Sequence, residues 1–227
     1  MSLPKVHLGS LLLIAAIVAG VGYMASWGWP MPFAATTAWK GAGVALLALY
    51  AASRARSLDG GLLAAVMALG AAGDVLLETH GLTTGALAFL AGHLVAIGLY
   101  LRNRRQNLGA PDWALAALLI PATAAIAFAL PADRAAAPGV ALYALGLSAM
   151  AASAWLSRFR RDRVALGALM FLVSDQLIFA RAGPLHGLAW VSDAVWILYF
   201  SGQTLIAMGV VEALAGDRDP ASGVPSS

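Results

Sequence analysis

Two aspartates set the chemistry open to this chain. Asp175 sits inside the apolar run from Gly167 to Ala180, and Asp74 sits in a second apolar run at 60–78. An ionised carboxylate near the centre of a membrane helix costs about 2.5–3.5 kcal/mol on insertion scales, so each acid calls for a function or a set of donors. Burial favours the protonated form of a carboxyl, and a like-charged neighbour favours it further for one member of a pair. One acid can then hold a proton while the other stays ionised, the division of labour of a general acid and a general base. Cleavage through an oxocarbenium-like species uses that pair: a proton donor, an anion facing the positive charge, and an activated water. The sequence holds no Gly-x-Ser-x-Gly elbow, no His-Glu-x-x-His and no glycine-rich phosphate loop. It has no cysteine, which excludes disulfides, thiolate metal sites and a cysteine nucleophile. Two of the four histidines, His80 and His186, fall in loops without ligand spacing toward Glu78 or Asp193, so neither metal nor cofactor is expected.

The elements that must position these acids follow from composition. Of 227 residues, 61% are hydrophobic and 11% charged. Apolar runs recur at about 8–24, 37–53, 60–78, 84–101, 112–130, 138–157, 164–180 and 191–214. Each is close to the ~20 residues that span ~30 Å of hydrocarbon. The expected fold is all-α, a polytopic membrane protein with eight transmembrane helices in one domain, 1–214, followed by a disordered tail, 215–227, rich in Gly, Pro, Ser and Asp. The first run is short and follows Lys5, as in a signal peptide, but the aromatic flank at Trp27 and Trp29 favours a retained helix. No polar stretch is long enough for a separate soluble catalytic domain.

Charge supplies the orientation. Arg54 and Arg56, then Arg102, Arg104 and Arg105, then Arg158, Arg160, Arg161 and Arg163 follow the second, fourth and sixth runs. The intervening loops hold only Lys40, Arg134 and Arg181. The positive-inside rule therefore puts the even-numbered exits and both termini in the cytoplasm, as expected for a bacterial inner-membrane protein. Topology and lipid headgroups explain these arginines better than nucleic acid does, so the expected partners are the bilayer and a membrane lipid substrate. A weak echo links Gly73-Asp74-Val75-Leu76-Leu77 to Ser174-Asp175-Gln176-Leu177-Ile178, four helices apart, as in a parallel duplication of a four-helix unit.

In this topology Asp74, Glu78, His93, Ser174, Asp175, Asp193, Tyr199 and Gln203 fall in the outer half of the bilayer or near its middle, which points to one polar chamber open to the non-cytoplasmic side. Glu78 and Asp193 also fit residues reaching interfacial water. His93 and Gln203 also fit hydrogen bonds between helices, and the glycines fit close helix contact. A proton-coupled transporter or a lipid-binding protein could use the same acids. The absence of proline from the third and seventh runs counts mildly against the transporter.

Four motifs resemble the YhhN-like lysoplasmalogenase family. They are Gly73-Asp74; Gly85-x-x-x-Phe89-x-x-x-His93; Gly167-Ala168-x-x-Phe171-x-x-Ser174-Asp175; and Tyr199-x-x-Gly202-Gln203-x-Leu205-Ile206. The resemblance implies a membrane hydrolase that cleaves the vinyl ether of lysoplasmalogen to a fatty aldehyde and a glycerophospho-base. It implies that Asp74 and Asp175 are the catalytic acids. On that reading His93, Ser174 and Gln203 orient water or the glycerol oxygens, while Glu78, Tyr199 and Asp193 line the mouth. One position departs from the pattern: a tyrosine is expected three residues after His93, where this chain has Ala96, with Tyr100 one turn further on.

Overall fold

The computed structural model describes residues 8–217. Its helices are α1 (Leu8–Ala25), α2 (Phe33–Arg54), α3 (Leu58–His80), α4 (Leu82–Arg102), α5 (Ala110–Ala129), α6 (Ala137–Leu156), α7 (Leu166–Arg181) and α8 (Trp190–Gly216), with a π-helical turn at Arg161–Ala165 leading into α7. Among the described residues there is no strand, only an isolated antiparallel bridge between Arg104 and Ser157. Most of the tail expected at 215–227 lies outside the described residues, and α8 runs to Gly216.

Seven of the eight helices are long and apolar enough to cross a membrane, counting α7 with its leading turn, which fits an integral membrane protein. The expected eighth span, α2, falls short because Lys40, Thr36 and Thr37 dilute its N-terminal half. Exposed leucine, isoleucine and valine side chains on α1 and α5, including Leu11, Ile14, Val18, Leu118 and Ile126, form the kind of surface that a bilayer covers.

Short connections make successive helices antiparallel neighbours. Gly81 alone joins α3 to α4, with φ at +85°, a backbone conformation that only glycine adopts freely. Ser57 starts α3, its hydroxyl accepting from the Gly60 N–H. α3 packs between α2 and α4, α5 pairs with α6, α7 pairs with α8, and α4 meets α6. α8 also touches α1, α2 and α3, which closes the bundle. Glycine permits the tightest of these contacts: a Cβ on Gly167 would lie 2.6 Å from the Gly202 carbonyl oxygen, and the reverse holds for Gly202.

The three arginine clusters do share one face, and they tie its loops together. The Arg158 N–H donates to the Asn103 carbonyl at 2.7 Å, and its side chain donates to Asn103 Oδ1 and to the Asp217 carboxylate. Arg102 and Asn103 both donate to Asp59, Arg161 pairs with Asp112, and Arg163 pairs with Glu212. Gly9 abuts Arg54, so the start of α1 and the end of α8 lie on this same face. Asp74, Asp175, Lys40 and Arg181 line a cavity toward the other end of the bundle.

The sequence echo has no matching set of partners. Asp74 of α3 is hydrogen-bonded from α8, whereas Asp175 of α7 is hydrogen-bonded from α6, not from α4 as a four-helix repeat would require.

Candidate active site

Asp74 and Asp175 line one cavity of about 400 Å³ enclosed by α1, α2, α3, α4, α7 and α8. Both are buried, 3% and 6% exposed, yet each has a donor. The Tyr199 hydroxyl donates to Asp74 Oδ2 at 2.8 Å, and the Tyr143 hydroxyl donates to Asp175 Oδ2 at 2.6 Å. His93 Nε2 lies 3.1 Å from the Tyr143 oxygen. A tyrosine has one proton to give; with it donated to Asp175, His93 must be the donor and carry its proton on Nε2. The result is a relay His93→Tyr143→Asp175 across α4, α6 and α7.

Aromatic rings hold the two acid–tyrosine pairs apart. The Phe171 ring sits 5.1 Å from His93 and 5.1 Å from Tyr199, and Phe89 packs edge-on against both Phe171 and Tyr199. Small residues make room for this wall. A Cβ on Gly73 would come within 2.8 Å of the Phe89 ring, and one on Gly70 within 2.9 Å of Gln203 Nε2. The glycine beside Asp74 is therefore there for packing.

The remaining expected residues divide. Ser174 lines the chamber, but its hydroxyl proton goes to the Val195 carbonyl at 2.9 Å, which joins α7 to α8. Glu78 stands at the rim, paired at 2.5 Å with Lys40, which reaches it from α2. Tyr199 lines the chamber as expected. Gln203 lies behind it, buried, and its Oε1 accepts no hydrogen bond among the described residues. His93 does not line the chamber and acts on Asp175 only through Tyr143. Asp193 is exposed and does not line the chamber; one residue earlier, Ser192 does, and accepts from Arg181 Nη1 at 3.1 Å. On a helix a one-residue step turns a side chain by about 100°, enough to take Asp193 off the lining face.

Several residues carried no clear site signal in the sequence: Tyr143, which holds Asp175, and the chamber-lining Lys40, Arg181, Tyr23, Trp27 and Trp196. Depth was a usable signal for Tyr143. It lies about two turns inside the N-terminal end of α6, and Asp175 about two turns inside the C-terminal end of α7, at the same end of the bundle. Tyr100 does not fill the place of the tyrosine missing at Ala96. It is buried against Phe159 toward the arginine face, with ring centroids 6.2 Å apart.

A second cavity, of about 430 Å³, runs between α4 and α6 and ends at Asp175. Leu77, Leu82, Phe89, Asp175 and Ile178 belong to both cavities, so the polar chamber and this apolar groove meet at one acid. Among the described residues no three His, Asp or Glu side chains come close enough to hold a metal ion.

Residues 35–210, from α2 into α8, match the YhhN family. The chain belongs to that family. It is the family that includes lysoplasmalogenases. The chain matches no curated protein and no solved structure. Every pair that holds the two acids in this YhhN protein, Tyr199–Asp74 and the His93–Tyr143–Asp175 relay, lies within the matched span. Of the chamber's walls, only α1, which contributes Tyr23, and Trp27 just after it lie outside.

Proposed function

We propose that this protein is a membrane ether hydrolase that cleaves the vinyl ether of lysoplasmalogen, releasing a fatty aldehyde and glycerophosphocholine or glycerophosphoethanolamine. The observation that supports it best is the position of Asp175, where a polar chamber meets an apolar groove. A lysoplasmalogen has its reactive bond at the same kind of boundary, between a polar headgroup and one hydrocarbon chain.

The position of each acid divides the roles. The carbon to be protonated lies on the chain side of the ether oxygen, and Asp175 lines the groove while Asp74 does not. Asp175, held by Tyr143, gives its proton to the β-carbon, and the α-carbon and ether oxygen then share the positive charge. Asp74, ionised in the polar chamber, faces that charge and takes a proton from the water that attacks the α-carbon. The hemiacetal returns its hydroxyl proton to Asp175 as the C–O bond breaks, and Asp74 protonates the departing glycerol oxygen. Both acids are thereby restored. Arg181 at the rim presents positive charge to the phosphate, and the Lys40–Glu78 pair beside it opens to receive phosphate and amine respectively.

In the membrane, α2 serves as the eighth span, its 22 residues covering about 33 Å. The arginine face and both termini lie in the cytoplasm by the positive-inside rule, and the chamber opens to the other side. Purified protein is to be given a lysoplasmalogen, its saturated ether analogue and an ester lysophospholipid. Aldehyde from the vinyl ether alone, lost in both Asp74→Asn and Asp175→Asn, is the expected result. No turnover of any of the three by folded, monodisperse protein would reject the reading in favour of transport or binding. Fatty acid released from the ester would reject the ether chemistry.

A further inference from the structure

The groove between α4 and α6 has walls from Ala86, Leu90, Val140 and Phe179, and among the described residues the buried Asp175 is the only charged residue that lines it. Its rim residues Leu82, Leu87 and Leu142 are 53%, 62% and 66% exposed. The groove therefore opens on the flank of the bundle, running from the helix ends at Leu82 and Ala136 past the exposed Leu87 and Leu142, where lipid tails would cover it in a bilayer. A ligand lying in it must be uncharged along its length and can be polar only where it reaches Asp175 and the chamber beyond. A single hydrocarbon chain bearing a polar head at one end has that form.

We propose that this groove seats the hydrocarbon chain of the substrate, admits it laterally from the bilayer, and sets how long a chain the enzyme accepts. The proposal rests on the hydrolase reading for the identity of the reacting bond, but the seat itself depends only on the two cavities meeting. Gly139 is a specificity-determining position on this view. A Cβ placed there would meet no atom within 4 Å, so a side chain can be added at this groove-lining position without displacing backbone.

The test uses the full chain in lipid nanodiscs and a saturated-ether lysophospholipid with a diazirine halfway along its chain. Adducts are mapped by peptide mass spectrometry, with and without excess unlabelled lysophospholipid. The expected result is competed labelling of α4 and α6 around Leu87 and Leu142, reduced about tenfold or more in Gly139→Phe. In turnover, Gly139→Phe is expected to lower kcat/KM for a long-chain substrate at least about tenfold more than for a short-chain one. Leu142→Trp, which narrows the groove from its lipid side, serves as a second variant should Gly139→Phe fail to fold. Labelling confined to lipid-facing α1 and α5, or labelling unchanged by either folded variant, overturns the seat. The labelling needs no turnover: a labelled groove without aldehyde formation rejects the hydrolase reading alone, and aldehyde formation without groove labelling rejects the seat alone.

Discussion

Replacing each tyrosine that holds an acid tests the division of roles directly. Tyr143→Phe and Tyr199→Phe each remove one oxygen from a buried site, so they open almost no cavity and leave the aromatic wall intact. The energetic cost is then close to that of the hydrogen bond itself. A bond to an ionised partner contributes about 1.5–3 kcal/mol, and one between neutral groups about 0.5–1.5 kcal/mol. If Asp74 is the anion, Tyr199→Phe falls in the first range. If Asp175 carries the proton, Tyr143→Phe falls in the second, although its bond is the shorter, at 2.6 Å against 2.8 Å. Tyr199→Phe is thus expected to lower the thermal midpoint more than Tyr143→Phe, by a difference of about 1 kcal/mol, roughly 2–4 °C for a chain of this size. Turnover should fall about 10- to 100-fold in both, because each acid loses the group that orients it, and 1.4 kcal/mol corresponds to a factor of ten. Thermal melts in one detergent, with aldehyde release measured on the same preparations, give both numbers. The reverse order of stabilities, or full turnover in Tyr143→Phe, would refute the assignment of Asp175 as proton donor.

Gly167→Ala puts a methyl group 2.6 Å from a backbone oxygen that cannot move alone, so it should cost about 1–3 kcal/mol or more and show as a lowered thermal midpoint. On the proposed reading Arg181 meets the headgroup and not the reacting bond, so Arg181→Gln should raise KM for the phospholipid substrate with a smaller effect on kcat, read from substrate titrations. His93→Gln keeps an N–H donor toward Tyr143 and should retain more activity than His93→Leu in the same assay. On the arginine face, the paired hydrogen bonds from Arg158 hold the Asp217 carboxyl below its ordinary 3.8. That pair contributes stability above the unfolded value and loses it as pH falls through the lowered folded one. Both groups are more than a third exposed, so the loss should stay under about 1 kcal/mol and vanish in Asp217→Asn, as acid titrations of stability would show.

The helices were legible because apolar runs end abruptly at Pro, Gly or Arg, and most of their observed ends lie within two or three residues of the runs. α2 departs most, beginning at Phe33 where the run begins near 37, since Thr36 and Thr37 weaken the apolar signal there. Asp74 and Asp175 were legible because a carboxylate in hydrocarbon needs a reason. Tyr143 was not, because a tyrosine in an apolar helix is equally at home in packing, at the interface or on an acid. Asp193 fitted both the mouth and interfacial water, and its exposed position agrees with the second. Helices that are apolar all round do not declare which face turns inward, so depth can be read from sequence while azimuth cannot. Lys40 and Arg181 were read as topology signals, and only the folded chain brings them to the rim beside Glu78.

Gly81 leaves α3 and α4 no slack, and the glycine contact between Gly167 and Gly202 presses α7 against α8 backbone to backbone. Each pair is therefore one close-packed unit, the first carrying Asp74 and the second Asp175. The Tyr199–Asp74 bond and the edge-on packing of Phe89 against Phe171 and Tyr199 join the two units directly beside the acids, so the wall that separates the two acid–tyrosine pairs is also the seam of the bundle.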